Sequence, residues 1–334
     1  MIHQNELVST VEPTYKYRAY PKTTEDEEAT LYQINLNREV YNHALTQYYK
    51  PAPEHDKSAY TTLQNKFPEW KREFPEWSDA HSNALQMAVR RIYWAQDALD
   101  ELKERGYNVG TLKWKRPHEF RSVTYNQSGF DVNSNTGRDG HATLRLSKIG
   151  TFDLKYHRPL PEDAAIKQVI LKQEKSGKWF VSIVLDTEPD YPDPPEPSDI
   201  DTEDTVGIDL GILSFTHDSD GLAVTPPDCS EAIQRIDKRH REFSRKEHGS
   251  DNWEKARRRL AEAYEDLRNK FKDFREKLAR AYTLDVRLGL GESELTPAET
   301  VTPVDTVTVS ASHVVESGRL PSRDAGRPAS PHAG

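Results

Sequence analysis

The stretch that most constrains this chain is Thr205 to Val224, TVGIDLGILSFTHDSDGLAV. In it Val206, Ile208, Leu210 and Ile212 alternate with Gly207, Asp209 and Gly211. A period of two predicts a half-buried strand whose apolar side packs on a core. The other side presents one carboxylate between two residues that have no side chain. Glycine weakens a strand and is kept where another group must approach closely. A divalent ion carrying a phosphate is such a group, and carboxylates are the usual Mg²⁺ ligands. Asp209 is therefore the candidate metal-binding and catalytic residue. A solvent-exposed strand face with a turn-prone acid would show the same pattern. Next, Asp218-Ser219-Asp220-Gly221 predicts a turn with glycine supplying positive φ. Strands over Leu213 to His217 and Leu222 to Thr225 would flank it, making a short antiparallel meander.

Charge is divided unevenly along the chain. The net charge of −9 over 334 residues argues mildly against a nucleic-acid partner, since such binders are usually basic. Glu188 to Asp204, however, holds eight acids and no Lys or Arg, whereas Ile233 to Tyr282 holds sixteen Lys or Arg against ten Asp or Glu, a local +6. A basic arm on an acidic protein fits a nucleic-acid binder adapted to high salt, and acidity also serves solubility. Cys229 is the single cysteine, which excludes a disulfide framework and a cysteine-based zinc site. No run approaches the roughly 18 apolar residues that cross a membrane, and the N-terminal MIHQNELVSTVEP has no apolar core of a signal peptide. A cytoplasmic protein with no membrane partner is expected.

Taken in order, Thr14 to Pro21 alternates aromatic and basic residues and predicts a strand. Leu31, Ile34, Tyr41, Leu45 and Tyr48 set a helical spacing over Glu25 to Lys50. Asp26, Glu27 and Glu28 stand in its first turn, where the helix dipole favours acids. A second helix is expected from Ser78, as N-cap, to Arg105, with the stripe Leu85, Val89, Ile92, Ala95, Leu99 and Leu102. The aromatics between them (Trp70, Phe74 and Trp77 among them) are expected to pack between helices rather than stack on bases. From Thr111 the pattern turns to strands: Thr111 to Arg116, Phe120 to Tyr125, His141 to Leu146, Val169 to Lys172 and Lys178 to Asp186. Short strands with glycine turns predict a small antiparallel barrel interrupted by a helical insert. Lys113, Trp114, Lys115, Arg116 and Arg121 interleave rings with cations, as a nucleic-acid surface requires; an amphipathic barrel with its charges in water reads the same way. The acidic, proline-rich 188–204 predicts an extended linker. Beyond the meander, Ser230 to Glu247 is expected to be helical, with Ile233, Ile236 and Phe243 on one face. Trp253, Ala256, Leu260, Tyr264, Leu267, Phe271, Phe274 and Leu278 then recur at spacings of three and four, the seam of an antiparallel helical hairpin. Arg257, Arg258, Arg259, Lys270 and Lys272 flank that seam as candidate phosphate contacts. Leu284 to Gly334 lacks Phe, Trp and Tyr and reads as a disordered tail.

In this order the pieces resemble a family. YKYRAYP, NREVYNHAL, LKWKRPHEFRSVTYNQSGF, LRLSKIGTFDLKYHRPLP, GKWFVSIVLD, VGIDLGI and WEKARRRLAEAYEDL look like the TnpB (OrfB) proteins of small insertion sequences, over Tyr15 to about Tyr282. The resemblance implies an RNA-guided, Mg²⁺-dependent DNA endonuclease, whose partners are a guide RNA from the transposon end and a target DNA. It implies an α+β fold: a wedge-like β-barrel over 1–24 and 106–187, a helical recognition lobe over 25–105 and the linker at 188–204. A partial RNase H-like (RuvC) domain with a basic hairpin over 205–283 would follow, then a disordered tail over 284–334. Asp209 would be the first catalytic carboxylate.

The departures from that pattern carry equal weight. Family members add a later RuvC Glu, a four-cysteine zinc ribbon and a final Asp. With one cysteine this chain has no ribbon and no zinc, and after Tyr282 it runs directly into a tail resembling that of halophilic members. An internal deletion that removes the other two acids accounts for this. Two-ion phosphodiester cleavage needs carboxylates converging on ions about 4 Å apart, and Asp209 alone cannot hold that pair; Asp285, Glu292 and Glu294 are the nearest substitutes in sequence. Three readings follow: guided DNA binding with impaired cleavage, an active nuclease whose missing acids come from the tail or a partner chain, or a remnant that retains RNA binding alone.

Overall fold

The computed structural model describes residues 13–49, 60–134, 137, 139–161, 164–186, 198, 205–211, 214–284 and 295–297. They form two compact units. The larger comprises 1–202 with 227–289, the smaller 203–226 with 290–334. The fold is mixed, with an antiparallel barrel-like sheet, helices and a second small sheet. No helix of the described residues is long and apolar enough to cross a membrane.

The larger unit is built on seven antiparallel strands: β1 (Thr14–Pro21), β2 (Ser122–Asn126), β3 (Phe130–Asn133), β4 (His141–Leu146), β5 (Gly150–Lys155), β6 (Ala165–Gln173) and β7 (Trp179–Asp186). Their order, β2-β6-β7-β1-β5-β4-β3, curls into a nearly closed barrel. The two end strands are consecutive in the chain. Ser147 N–H extends the β3–β4 ladder by donating to the Gly129 carbonyl at 2.8 Å, and across the seam the Tyr125 hydroxyl of β2 donates to the Ser147 carbonyl at 2.6 Å. Alternation fills the interior. Trp179, Val181, Ile183 and Leu185 of β7 point in with Phe152 and Leu154 of β5, Val169 and Leu171 of β6 and Tyr17 of β1, all buried.

Sequence periodicity places β1 and β4 at their observed bounds, but Thr111 to Arg116 is not a strand. The backbone groups a ladder would use are already taken by α1 (Thr24–Tyr49). Asn42 accepts from Lys115 N–H at 2.8 Å and donates to the Lys115 carbonyl at 3.0 Å, and the Tyr49 hydroxyl accepts from Leu112 N–H at 3.0 Å. The segment is thus strapped across a helix, where it satisfies the pairing requirement of buried backbone without a partner strand.

The helical insert packs α1 against α4 (Ser82–Glu104), with α2 (Tyr60–Gln64), α3 (Phe67–Glu73) and a 3₁₀ turn at Pro75–Asp79 between them. Phe67, Trp70 and Trp77 are buried, as core aromatics should be. His43 stands edge-on to Trp70, Phe74 and Trp77 with ring centres 4.9, 5.3 and 5.5 Å away. Ser78 is not the cap of the second helix. Proline-initiated 3₁₀ turning carries the chain to Ala80, which is extended, and His81 becomes the N-cap without a side-chain bond. Leu31 and Leu102, both expected on apolar stripes, are exposed. The buried face of α1 instead includes Leu36, Val40 and Ala44, and α4 leaves the core after Ile92.

Helix α1 is locked to the barrel at its first turn. Thr23 and Asp26 form a reciprocal cap, with Asp26 N–H donating to Thr23 Oγ1 at 3.1 Å and Thr23 N–H to Asp26 Oδ2 at 3.2 Å. The second carboxylate oxygen accepts from Thr151 N–H of β5 at 3.2 Å. Glu27 beside it accepts from the Trp179 indole at 3.1 Å.

Burial of the His81 imidazole, and then Lys148 and Lys71 nearby, lower its pKa below the ordinary 6.5. The unfolded chain therefore takes up a proton below about pH 6.5 that the folded one refuses. The corresponding stability is fully present above that pH and is lost as the pH falls toward the depressed folded value. Urea midpoints should decline between pH 7.5 and 5.5 in the parent. His81→Phe should flatten that part of the slope; an unchanged slope would remove His81 as its source.

In the same unit α5 (Ser230–Ser244) and α6 (Asp251–Leu284) form the expected hairpin. Ile236, Leu260 and Ala263 are buried between them, joined by Phe243 and Leu267. Ile233 and Tyr264, assigned to the seam by spacing, are exposed. A straight helix drifts off a strict heptad, so Ala263 takes the place of its neighbour, and the Tyr264 hydroxyl instead meets His240 Nε2 at 2.8 Å. Residues 227–289, the hairpin among them, fall in the larger unit and 203–226 in the smaller. One contact behind this is Glu265. It is nearly enclosed and bonds Lys178 Nζ at 2.9 Å, at the turn between β6 and β7. Burial would raise the Glu265 carboxyl, but the Ser176 hydroxyl and Lys178 outweigh that and hold it below its ordinary value.

The smaller unit is a four-stranded antiparallel sheet, β11-β10-β9-β8, of β8 (Ile208–Asp209), β9 (Thr216–Asp218), β10 (Leu222–Val224) and β11 (Leu295–Pro297). The expected meander forms, but β9 excludes Ser214 and Phe215 and takes in Asp218, which the sequence placed in the turn, and β10 ends at Val224; Leu213 lies outside the described residues. Asp218 Oδ1 accepts from Asp220 N–H at 3.1 Å and Leu222 N–H at 2.7 Å, and Gly221 has φ +85°. Two further expectations fail. Val206, Ile208 and Leu210 are 39%, 42% and 73% exposed, so β8 is not half-buried; among the described residues no layer covers that face. Leu295–Pro297, inside the stretch read as an unstructured tail, pairs along β10. Apart from Ser198, the 188–204 linker lies outside the described residues, as do Ile212, Asp285, Glu292, Glu294 and the rest of the tail.

Candidate nucleic-acid interface

Helical spacing set five α6 cations beside one seam, but the structure points them different ways. Arg257 Nε is bound to Glu254 Oε2 at 2.9 Å. Arg258 lies over the β6–β7 turn, its guanidinium 3.9 Å from the site of a Cβ on Gly177. Lys270 Nζ donates to the Asp228 carbonyl, and Lys272 pairs with Glu276 at 3.4 Å. Only Arg259 faces the groove between the helices. There it meets Arg235 and Arg239 of α5 and Lys255 of α6, with Lys246 where the helices connect. Glu242, Glu262 and Asp266 share the groove. Arg239 is paired with Glu242 at 2.7 Å and Arg235 with Asp266 at 3.5 Å. Lys246, Lys255 and Arg259 have no carboxylate at ion-pair distance among the described residues. Four of the five groove cations are ones the sequence reading did not single out. Part of their signal is the i, i+4 pair Arg235 and Arg239, which borders Ile236 on the same side of α5 and becomes readable as a groove only once the two helices are docked.

The barrel carries a second cationic surface, on the outer face of β1 and β7. Lys16 Nζ sits 4.6 Å and Arg18 5.1 Å from the centre of the Phe180 ring, and Arg18 also lies 4.9 Å from Tyr20. A flat ring with guanidinium and ammonium over it can meet a base and a phosphate together. In the strapped segment Trp114 is 65% exposed, with Lys113 and Arg116 also in solvent, whereas Lys115 is half-buried and its backbone committed to α1. Arg121 is not in that group. It is half-buried beside Arg257, and burial followed by that second guanidinium lowers its pKa, with Glu174 and Glu254 opposing. The cations of the sequence reading thus divide between an exposed aromatic strap, a barrel–helix contact and the hairpin groove.

Asp209 is exposed on β8 and lies opposite His217 of β9. Among the described residues no three His, Cys, Asp or Glu side chains are gathered as a metal-ligand set. The donors among the described residues do not fit a two-ion phosphodiesterase centre.

Comparison with known proteins decides the family. Residues 182–283 match the OrfB_IS605 family, described as "Probable transposase". A Streptomyces pristinaespiralis protein named "Putative RNA-guided DNA endonuclease" is 31% identical over 278 residues, 82% of this chain and 64% of its own length. The chain belongs to the TnpB/OrfB family. A second relative, from Escherichia coli K12 and named "Putative RNA-guided DNA endonuclease InsQ", is 26% identical over 74% of this chain. This TnpB/OrfB chain spans 64% and 55% of the lengths of these two relatives. The family match runs through α5 and α6 and stops at residue 283, one residue before α6 ends.

Proposed function

We propose that this TnpB-type protein binds a guide RNA and, through it, a target DNA, with phosphodiester cleavage impaired. The observation that carries the reading is the hairpin groove, where among the described residues Lys246, Lys255 and Arg259 have no carboxylate at ion-pair distance, on a chain of net charge −9. Such a local surplus recruits phosphate and releases counterions. The exposed Trp114 strap and the Phe180 surface add platforms on which bases stack. Impaired cleavage is supported by the donor set. Asp209 has no gathered group of ligands among the described residues, and the single cysteine leaves no zinc ribbon. An internal deletion after α6 accounts for both. Among the described residues, Mg²⁺, where the family uses it, would find the Asp209 carboxylate alone of the expected set.

The test is sequencing of RNA that co-purifies with the chain expressed beside its native flanking DNA. A discrete RNA from the element's end is expected; random RNA or none would leave a remnant. Guide-matched DNA incubated with the purified complex and Mg²⁺ should be bound and not cut, and Asp209→Ala should change neither result. Cutting that disappears in Asp209→Ala would mean that the missing acids come from elsewhere and would overturn the impaired-cleavage reading.

A further inference from the structure

We propose that a second copy of this chain pairs along the open edge of β8, forming a symmetric dimer with one continuous sheet through both small units. The inference stands apart from the nucleic-acid reading. Among the described residues nothing pairs with the outer side of β8, which ends the sheet. Natural edge strands are protected by lysine, proline or a bulge. Val206 to Leu210 has no lysine or proline, and the β8–β9 register is unbroken. Instead it exposes three apolar side chains at alternate positions, Val206, Ile208 and Leu210.

The geometry favours an identical strand as occupant. Ser219 N–H donates to the Gly207 carbonyl at 2.9 Å, so Gly207 turns its carbonyl toward β9. Alternation then turns the N–H and C=O of Ile208 outward. An antiparallel copy with its two-fold axis at Ile208 would exchange both of those bonds between the two Ile208 residues. In this register Val206 faces Leu210 of the other copy, and the six apolar side chains fall on one face, where each strand covers the other's exposed stripe. Asp209 falls opposite Gly207, which has no side chain to obstruct the carboxylate and carries no charge. A register shifted by one residue along each strand would set Asp209 against Asp209 and is disfavoured by like charge. The edge is therefore complementary to itself in one register.

Light scattering on the full chain, in a concentration series reaching about 100 µM, should show a reversible dimer. Ile208→Lys should return it to monomer, with Leu210→Lys as an independent second variant and circular dichroism to confirm that each remains folded. In Ile208→Cys combined with Cys229→Ser, the paired Cα atoms would lie about 5.5 Å apart, within disulfide reach. Mild oxidation should then give a covalent dimer, while Asp220→Cys in the same background should not. A monomer throughout the series, or a dimer indifferent to both lysines, overturns the proposal. So does a monomer whose Ile208 amide resists hydrogen exchange, which would assign the edge to another strand of the same chain.

Discussion

Gly150→Ala should destabilise the barrel and its helical insert by about 3 kcal/mol or more, among the largest effects expected of any single substitution here. Gly150 opens β5 at φ +134°, a backbone region that residues with a Cβ rarely occupy. A Cβ there would lie 1.7 Å from Asp26 Oδ1 and 2.7 Å from its Cγ. Neither atom is free to move. Asp26 Oδ1 holds Thr151 N–H, and Oδ2 closes the cap on Thr23. To admit the methyl group, Asp26 must rotate away. That leaves the β5 amide without its acceptor, at about 1–3 kcal/mol, weakens a helix cap worth about 1 kcal/mol and adds backbone strain of about 1–3 kcal/mol. Gly106→Ala is the matched control, since Gly106 also has positive φ, +84°, but nothing within 4 Å of the added atom. Urea unfolding of the two variants separates strain from collision. The double substitution Gly150→Ala with Asp26→Ala should cost less than the sum of the singles. Equal losses at Gly150 and Gly106 would mean that Asp26 does not fasten the helix to the barrel.

This lock also shows where sequence reading stops. Alternation in HATLRL and WFVSIVLD reports which residues face the barrel interior, because burial on one side of a strand leaves a period of two in the chain itself. The helical stripes are legible for the same reason where a helix lies fully on the core, as at Leu85, Val89 and Ile92. Asp26 reads as an acid in a first turn, and its second role, accepting from Thr151 N–H 125 residues away, leaves no local trace. Lys115 fails in the opposite sense. Its neighbours look like a strand, but hydrogen bonds from Asn42 and Arg38 of another element claim its backbone. For the site, composition located the basic arm but not its working face. Five cations chosen by proximity to the α6 seam scatter around the helix, because a helix turns 100° per residue and consecutive arginines cannot share a face. Asp209 was legible as a conspicuous acid between glycines. The exposure of its strand was not, since the alternation of Val206, Ile208 and Leu210 records what the strand is shaped to contact rather than whether that contact is made.

Removing Lys246, Lys255 and Arg259, the groove cations with no ion pair among the described residues, should weaken nucleic-acid binding about a hundredfold at 0.1 M salt. The argument is counterion release. Each cation that neutralises a phosphate on a single strand contributes about 0.7 to the slope of log affinity against log salt. Lys246→Gln, Lys255→Gln and Arg259→Gln together should therefore reduce that slope by about 2 for RNA, which at 0.1 M is about two decades of affinity. Arg235 and Arg239 are left in place because Asp266 and Glu242 already hold them. Replacing either would strand a carboxylate in the groove and confuse lost attraction with new repulsion. A control triple removes equal charge from the lobe side: Lys71→Gln, Lys103→Gln and Arg105→Gln. Loss of net charge alone acts on all nucleic acid at long range and is screened within about 10 Å at 0.1 M, so the control should leave the slope nearly unchanged. The two outcomes separate a positioned phosphate track from a diffuse field. If the groove variant and the control shift affinity equally, the hairpin only contributes charge, and the exposed Trp114 strap and the Phe180 surface become the leading candidates for contact. If only the groove variant flattens the slope, successive phosphates run along the cleft between α5 and α6, which the charge pattern of neither helix alone would reveal.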